Sequence, residues 1–224
     1  MTQIRFLGGL TTTGGNCCEL VTPTGRVVVD LGADGGAQVP DSGQALFGGA
    51  GAEVATAVIL TRLDAAHAGG LQAVPAAVPV YAAAGAALED AASSVVAHAL
   101  RALPDSLSCG GLTVTALGAG DAVVVADAAH RFVFVGETPL DAATRSAVAA
   151  LRPTLLALEV PQGATPERVA LCQALNPRVV VPWHTAAPEA AGAVLDDATR
   201  AEVLLPEWGL YYSLDEPEAD EEDW

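Results

Sequence analysis

Apolar positions along the chain fall into short runs separated by breaks rich in Gly, Pro, Asn and Asp. Residues 3–8, QIRFLG, alternate in the manner of a half-buried strand, and Gly8-Gly9 ends them. Thr11 to Asn16 carry turn chemistry, and Cys17 to Thr22 read as the next strand. Pro23-Thr24-Gly25 then makes a tight connection into a strand over 26–32. Residues 33–53 have no strong period and read as a loop holding at most one short helix. Val58-Ile59-Leu60 is short, unbroken and β-branched, which predicts a buried strand ending at Thr61. A helix begins before Gly70 and runs to about Val74, and 79–82 form a short strand. The Ala-dominated stretch 84–103, which contains His98, predicts a helix.

The second half repeats this alternation. Strands are predicted at 112–116, 122–126 and 131–135, with Asp127 to His130 as the turn between the last two. A helix over 141–151 takes Asp141 as its N-cap. A strand at 154–159 and a helix at 165–175 follow, the latter stopped by Asn176-Pro177. The strand 178–182 delivers Trp183-His184-Thr185. A helix near 187–200 and short strands near 202–205 and 210–213 complete the pattern. Strands alternating with helices define an α/β class.

Composition adjusts this picture in three ways. Of the 224 residues 51% are hydrophobic, enough for one large core, read as a single domain over 1–213. The net charge of −17 disfavours nucleic acid as a partner. Part of that charge lies in 214–224, an acidic run closing on Trp224. It is expected to be a mobile, solubilising tail or a docking peptide. The four cysteines, Cys17, Cys18, Cys109 and Cys172, form no CxxC pair. With no signal peptide and no apolar span, a cytoplasmic protein with reduced core thiols is expected.

Candidate chemistry lies at the ends of strands, where α/β proteins build their sites. One stretch reads Thr61-Arg62-Leu63-Asp64-Ala65-Ala66-His67-Ala68-Gly69-Gly70. It resembles the metal-binding signature Thr-His-x-His-x-Asp-His-x-Gly-Gly of the metallo-β-lactamase superfamily. The opening segments, with Leu7-Gly8-Gly9, Gly14-Gly15-Asn16 and Val29-Asp30-Leu31-Gly32, resemble most closely the RNase J and cleavage-factor branch. The resemblance implies a four-layer αββα sandwich of two mixed sheets flanked by helices. It also implies a dinuclear metal site, of which this sequence keeps little. Arg62 stands at the first histidine and has no lone pair to give a cation. Asp64 replaces the second histidine and Ala66 the aspartate, while His67 matches. No histidine is found near Gly118 to Asp121, where Asp121 is the remaining candidate. Glu137 replaces the bridging aspartate, and His184 matches the final histidine. Asp30 corresponds to an aspartate that supports the metal-binding loop.

Two readings follow from this degenerate motif. In the leading one the protein is a pseudoenzyme, a metal-free binding or scaffold protein with a protein partner, no cofactor and no membrane association. Arg62 then occupies the space of the missing first metal and pairs with Asp64, Glu137 or both. In the alternative, His67, His184, Glu137 and Asp64 hold a single zinc, and the protein hydrolyses an ester, thioester, lactone or phosphodiester. A small-molecule ligand in the old pocket is a third option. His98 is read as a surface or packing residue, His130 as a hairpin-loop residue and not a ligand, Cys17, Cys18 and Cys172 as core, and Trp183 as either packing or pocket wall.

Overall fold

The computed structural model describes residues 1–33, 45–47, 57–83 and 100–215. Two seven-stranded mixed sheets pack face to face. The first runs β14-β1-β2-β3-β4-β5-β6, built from β1 (Gln3–Gly8), β2 (Cys17–Thr22), β3 (Gly25–Val29), β4 (Ala57–Leu60), β5 (Val80–Ala82), β6 (Leu100–Ala102) and β14 (Tyr211–Ser213). The second runs β13-β12-β11-β10-β9-β8-β7, from β7 (Leu107–Cys109), β8 (Leu112–Leu117), β9 (Ala122–Ala126), β10 (Arg131–Val135), β11 (Leu155–Glu159), β12 (Val179–Trp183) and β13 (Glu202–Val203). The short helix α1 (Ala65–Ala68) and a 3-10 turn (Leu71–Ala73) belong to the first half. Helices α2 (Ala142–Ala150), α3 (Pro166–Leu175) and α4 (Pro188–Ala198) belong to the second.

The period of two along each strand separates the layers. Ile4, Phe6, Val27, Val29 and Ile59 of the first sheet meet Val123, Val125, Phe132, Phe134, Leu155, Ala157 and Val181 of the second in one central core. The alternate residues point outward. Val28, Val58 and Leu60 pack with Ala68 and Leu71 beneath α1 and the 3-10 turn. Val133, Val135, Leu156, Leu158 and Val180 pack with Val148, Leu171, Leu175 and Leu195 of α2, α3 and α4. Strands buried on both faces must be apolar at every position, which explains the unbroken runs of β4, β11 and β12. This is the expected four-layer αββα sandwich.

Helix ends follow their local chemistry. Asp141 caps α2 by accepting from the Thr144 N–H. Pro166 and Pro188 stand in the first turn of α3 and α4. Asn176 ends α3 in the left-handed conformation with φ 47°.

Two segments differ from the sequence reading. The helix expected over 84–103 lies outside the described residues as far as 99, His98 included, and Leu100–Ala102 form a parallel edge strand on β5. The exposed edge of β5 supplies hydrogen-bond partners that outweigh the helical preference of Ala and Leu. Leu107–Cys109 pairs with β8 as a further strand too short to show a period. The loop expected at 33–53 and the tail beyond Asp215 also fall largely outside the described residues. Asp215 itself accepts from Ser213 Oγ at 3.0 Å and lies 3.3 Å from His130 Nε2. All four cysteines are free and buried, and burial pushes the Cys18 thiol well above its ordinary pKa and Cys172 up to about 11. No helix among the described residues is long and apolar enough to cross a membrane.

Candidate metal centre

The C-terminal ends of β3, β4, β10, β11 and β12 supply the polar residues of one edge. After β3 the chain turns at Asp30, which is buried and adopts φ 58°. Its carboxylate accepts from the Thr61 N–H and from Thr61 Oγ1, each at 2.7 Å, and so pins the start of the loop after β4. This is the supporting geometry the resemblance implies for Asp30. Burial pushes the Asp30 carboxyl up to about 7 against the lowering effects of His67 and Thr61. Gly32 allows the closest approach in the site: a Cβ there would lie 1.6 Å from the Ala66 carbonyl oxygen. The same loop is tied by Leu31 N–H to His67 O and by Gly32 N–H to Asn16 O, both 2.8 Å.

His67 comes from α1 and His184 from the residue after β12. Both are buried, and their rings stack with centroids 5.3 Å apart. His184 adopts φ 54°, and its N–H donates to Gly9 O at 2.7 Å. Two non-glycine residues in the left-handed region at one edge mark backbone strain held by the surrounding contacts. Between the histidines lies Glu159, the last residue of β11, only 2% exposed. Ligand atoms of His67, Glu159 and His184 all lie within 4.8 Å of one another, and they form the metal-compatible group found among the described residues.

The hydrogen bonds assign an orientation to each ring. His67 Nδ1 faces Asp64 Oδ1 at 2.6 Å, and Nε2 faces Glu159 Oε1 at 2.7 Å. Burial alone would lower the His67 pKa. The Asp30 charge and the hydrogen bonds to Asp64 and Glu159 raise it instead to about 10, so the metal-free ring is an imidazolium. His184 Nδ1 donates to Asn16 Oδ1 at 2.9 Å, which leaves Nε2 with its lone pair. Burial lowers the His184 pKa and keeps that tautomer neutral. Asn16 is fully buried, and its Nδ2 donates to Glu159 Oε1 at 3.1 Å. The amide therefore fixes both the carboxylate and the second histidine. Glu159 Oε2 is buried and has no hydrogen-bond partner.

The other expected residues lie around this centre. Asp64, 40% exposed, reaches the far nitrogen of His67, as a partner that orients a ligating ring does. The His67 contacts lower its pKa in spite of partial burial. Glu137, 41% exposed, sits at the rim with Oε1 3.7 Å from His184 Nε2. Arg62 Nε lies 3.0 Å from Asp64 Oδ2 and Nη1 lies 3.5 Å from Glu137 Oε1. Arg62 thus meets both Asp64 and Glu137, and its side chain is 41% exposed. The loop after β4 keeps it beside solvent. Asp121 lies in the β8–β9 turn, where Gly118 approaches both its carboxylate and Thr144. Arg168 donates to the carbonyls of Gly136 and Glu137 and holds the loop that carries Glu137. Trp183 is core: its indole stands edge-on to Phe6 and Phe134, and its Nε1–H donates to Gly8 O at 2.8 Å. A cavity of about 410 Å³ opens beside Glu137, lined by Pro139, Leu140, Leu171, Arg145 and Arg168 among others.

Neither Glu159 nor Asn16 is among the site residues expected from the sequence, where Glu159 closes a strand and Asn16 ends the Gly14-Gly15-Asn16 turn. Glu159 carries one usable signal, a carboxylate closing a fully apolar run, a position where an unpaired charge is costly. Asn16 resembles an ordinary turn residue in the sequence.

No family model matches the sequence, and no curated protein matches it. Solved structures do. The metallo-beta-lactamase fold protein YhfI from Bacillus subtilis is 16% identical, with a TM-score of 0.71 over 95% of this chain and 100% of its own. A diphosphatase from the PhnP family is 13% identical, with a TM-score of 0.66 over 94% and 96% of the two chains. Zn(2+)-bound PqqB from Methylobacterium extorquens is 13% identical, with a TM-score of 0.64 over 94% and 99%. At such identities the likeness concerns the fold.

Proposed function

We propose that this chain, which has the metallo-β-lactamase fold, is a hydrolase that works with one divalent metal ion held by His67, Glu159 and His184. The observation that carries the reading is the buried Glu159 Oε2, which accepts no hydrogen bond and has only a 3.9 Å contact with Arg62, beside two histidine nitrogens. A buried carboxylate oxygen without a hydrogen bond is costly, and a cation offsets that cost. Two imidazoles and a carboxylate are also a donor set that suits zinc. A diphosphatase and a zinc-bound protein among the similar structures are consistent with this chemistry.

The residues divide the work. His67 gives up the proton on Nε2 to become a ligand, while Asp64 holds its Nδ1–H. Asn16 keeps the His184 Nε2 lone pair turned to the centre. A divalent ion would supply Lewis acidity, polarising a substrate oxygen and making water more acidic. Glu137, exposed at the rim and near His184, is placed to accept a proton from a water molecule at the mouth. The cavity beside Glu137, which shares that residue but none of the three ligands with the centre, has room for part of a small ester, thioester, lactone or phosphodiester, with an apolar wall, two arginines and Glu167. The four buried thiols suit a cytoplasmic setting.

A second reading is a metal-free pseudoenzyme pocket. Its specific support is that imidazolium His67 and Arg62 already set two positive charges among Asp64, Glu137 and Glu159. Metal analysis of protein purified without a histidine tag separates the two. Near one zinc per chain is expected, and Glu159→Gln is expected to weaken zinc binding by about 100-fold or more. Protein that takes up no zinc, nickel, manganese or iron at micromolar concentration would be the pseudoenzyme.

A further inference from the structure

We infer that Arg62 is the second electropositive centre of the site, contacting an anionic oxygen of the substrate beside the single metal ion. The inference rests on the one-metal reading above. Arg62 is held from both ends. Its backbone follows Thr61, which Asp30 pins through two hydrogen bonds of 2.7 Å. Its guanidinium is braced by Asp64 Oδ2 on Nε at 3.0 Å and by Glu137 Oε1 near Nη1 at 3.5 Å. Nη1 also leans toward the orphan oxygen of Glu159, at 3.9 Å. The ion pairs to described residues engage Nε and Nη1, and none of them involves Nη2, the other arm of the planar fork.

Exposure sets this fork apart from the three ligands. His67, Glu159 and His184 are 0%, 2% and 4% exposed, whereas the Arg62 side chain is 41% exposed. The guanidinium thus lies between solvent-exposed Asp64 and Glu137 and the buried Glu159, to all three of which it is paired. Asp64, Glu137 and Glu159 carry three negative charges, which one guanidinium and one divalent ion offset, while Asp30 lies behind His67 and is taken up by Thr61. A guanidinium carries a fixed charge and binds oxyanions through paired N–H groups. It neither ligates water nor takes up a proton. Its contribution is to hold and stabilise negative oxygen, the part a second metal ion would otherwise play.

The test uses the full chain loaded with zinc and inorganic phosphate as the oxyanion probe, followed by titration calorimetry. Wild type is expected to hold one zinc, not two, and to bind phosphate. Arg62→Gln is expected to keep its zinc and lose phosphate affinity by about 10- to 100-fold, the worth of one or two charge-assisted bonds. Arg62→Lys restores the charge without the fork and is expected to fall between them. Arg200→Gln, in the connection from α4 to β13, is expected to match wild type, because β13 pairs with β12 at Val179 and so at the end of that strand opposite His184. Zinc-loaded Arg62→Gln that binds phosphate as tightly as wild type would overturn the inference. Loaded wild type that takes a second zinc, or that binds no phosphate, would overturn it too. A wild type that takes up no zinc overturns the one-metal reading, and this inference falls with it.

Discussion

At the scale of single residues, exposure decides what a charge is worth. Arg62 meets Asp64, Glu137 and Glu159, yet its side chain and those of its two nearest partners are about 40% exposed. Water screens such pairs, so their contribution is about 0–1 kcal/mol rather than the several kcal/mol of a buried pair. Arg62→Ala is therefore expected to shift the urea denaturation midpoint of the metal-free protein only slightly. A loss above about 2 kcal/mol would mean that the arginine is a structural residue first. Glu159 is the opposite case. It is 2% exposed, one oxygen is shared by His67 and Asn16, and the other accepts no hydrogen bond and has only the long contact with Arg62.

At the scale of elements, the site is a set of close backbone approaches between loops that follow different strands. Asn16 N–H bonds to Ala66 O, and Gly32 N–H bonds to Asn16 O, each at 2.8 Å. These bonds lace the β1–β2 turn, the loop after β3 and helix α1 together. Gly32 sits at the crossing, where any Cβ would overlap the Ala66 carbonyl. Gly32→Ala is thus expected to push α1 and His67 away from Glu159. It should lower the thermal midpoint by several degrees and weaken zinc binding by about 10-fold or more. A variant with unchanged midpoint and unchanged zinc affinity would show that the loop relaxes without moving His67.

For the whole molecule, net charge and two buried groups act together on stability. Asp30 is raised to about 7 and His67 to about 10 in the metal-free protein. Against ordinary values of about 4 and about 6.5, the native state holds more protons than the unfolded chain across both windows. Stability therefore falls as pH rises from about 4 to about 7 through Asp30, and from about 6.5 to about 10 through His67. Growing repulsion within a chain of net charge −17 adds in the same direction. Asp127, lowered to about 2 by its hydrogen bonds in spite of burial, acts oppositely, and its stabilisation is lost only as pH falls through that value. In buffer with chelator the melting midpoint is expected to be highest near about pH 4–5 and to decline steadily toward pH 10. A midpoint that rises between pH 5 and 8 would contradict the assigned proton on His67.

Much of the architecture was legible from local pattern. Runs such as Val58 to Leu60 and Leu155 to Leu158 have the composition of strands covered on both faces, and Asp141, Asn176 and the two helix prolines mark ends by chemistry confined to a few bonds. His67 and His184 were also legible as a pair, because each follows a strand in a recognisable frame of neighbours. The carboxylate that meets them was not. Whether Glu137 or Glu159 faces the imidazoles depends on how far two parallel strands extend and on which way the last side chain turns. Asn16 enters the site only because the β1–β2 turn folds across the edge of both sheets. Exposure of Arg62, the partners of each histidine nitrogen and the Glu159 oxygen that accepts no hydrogen bond are properties of the packed edge. They arise from atoms up to 168 residues apart in the chain, as between Asn16 and His184, and tertiary structure alone brings them within a hydrogen bond.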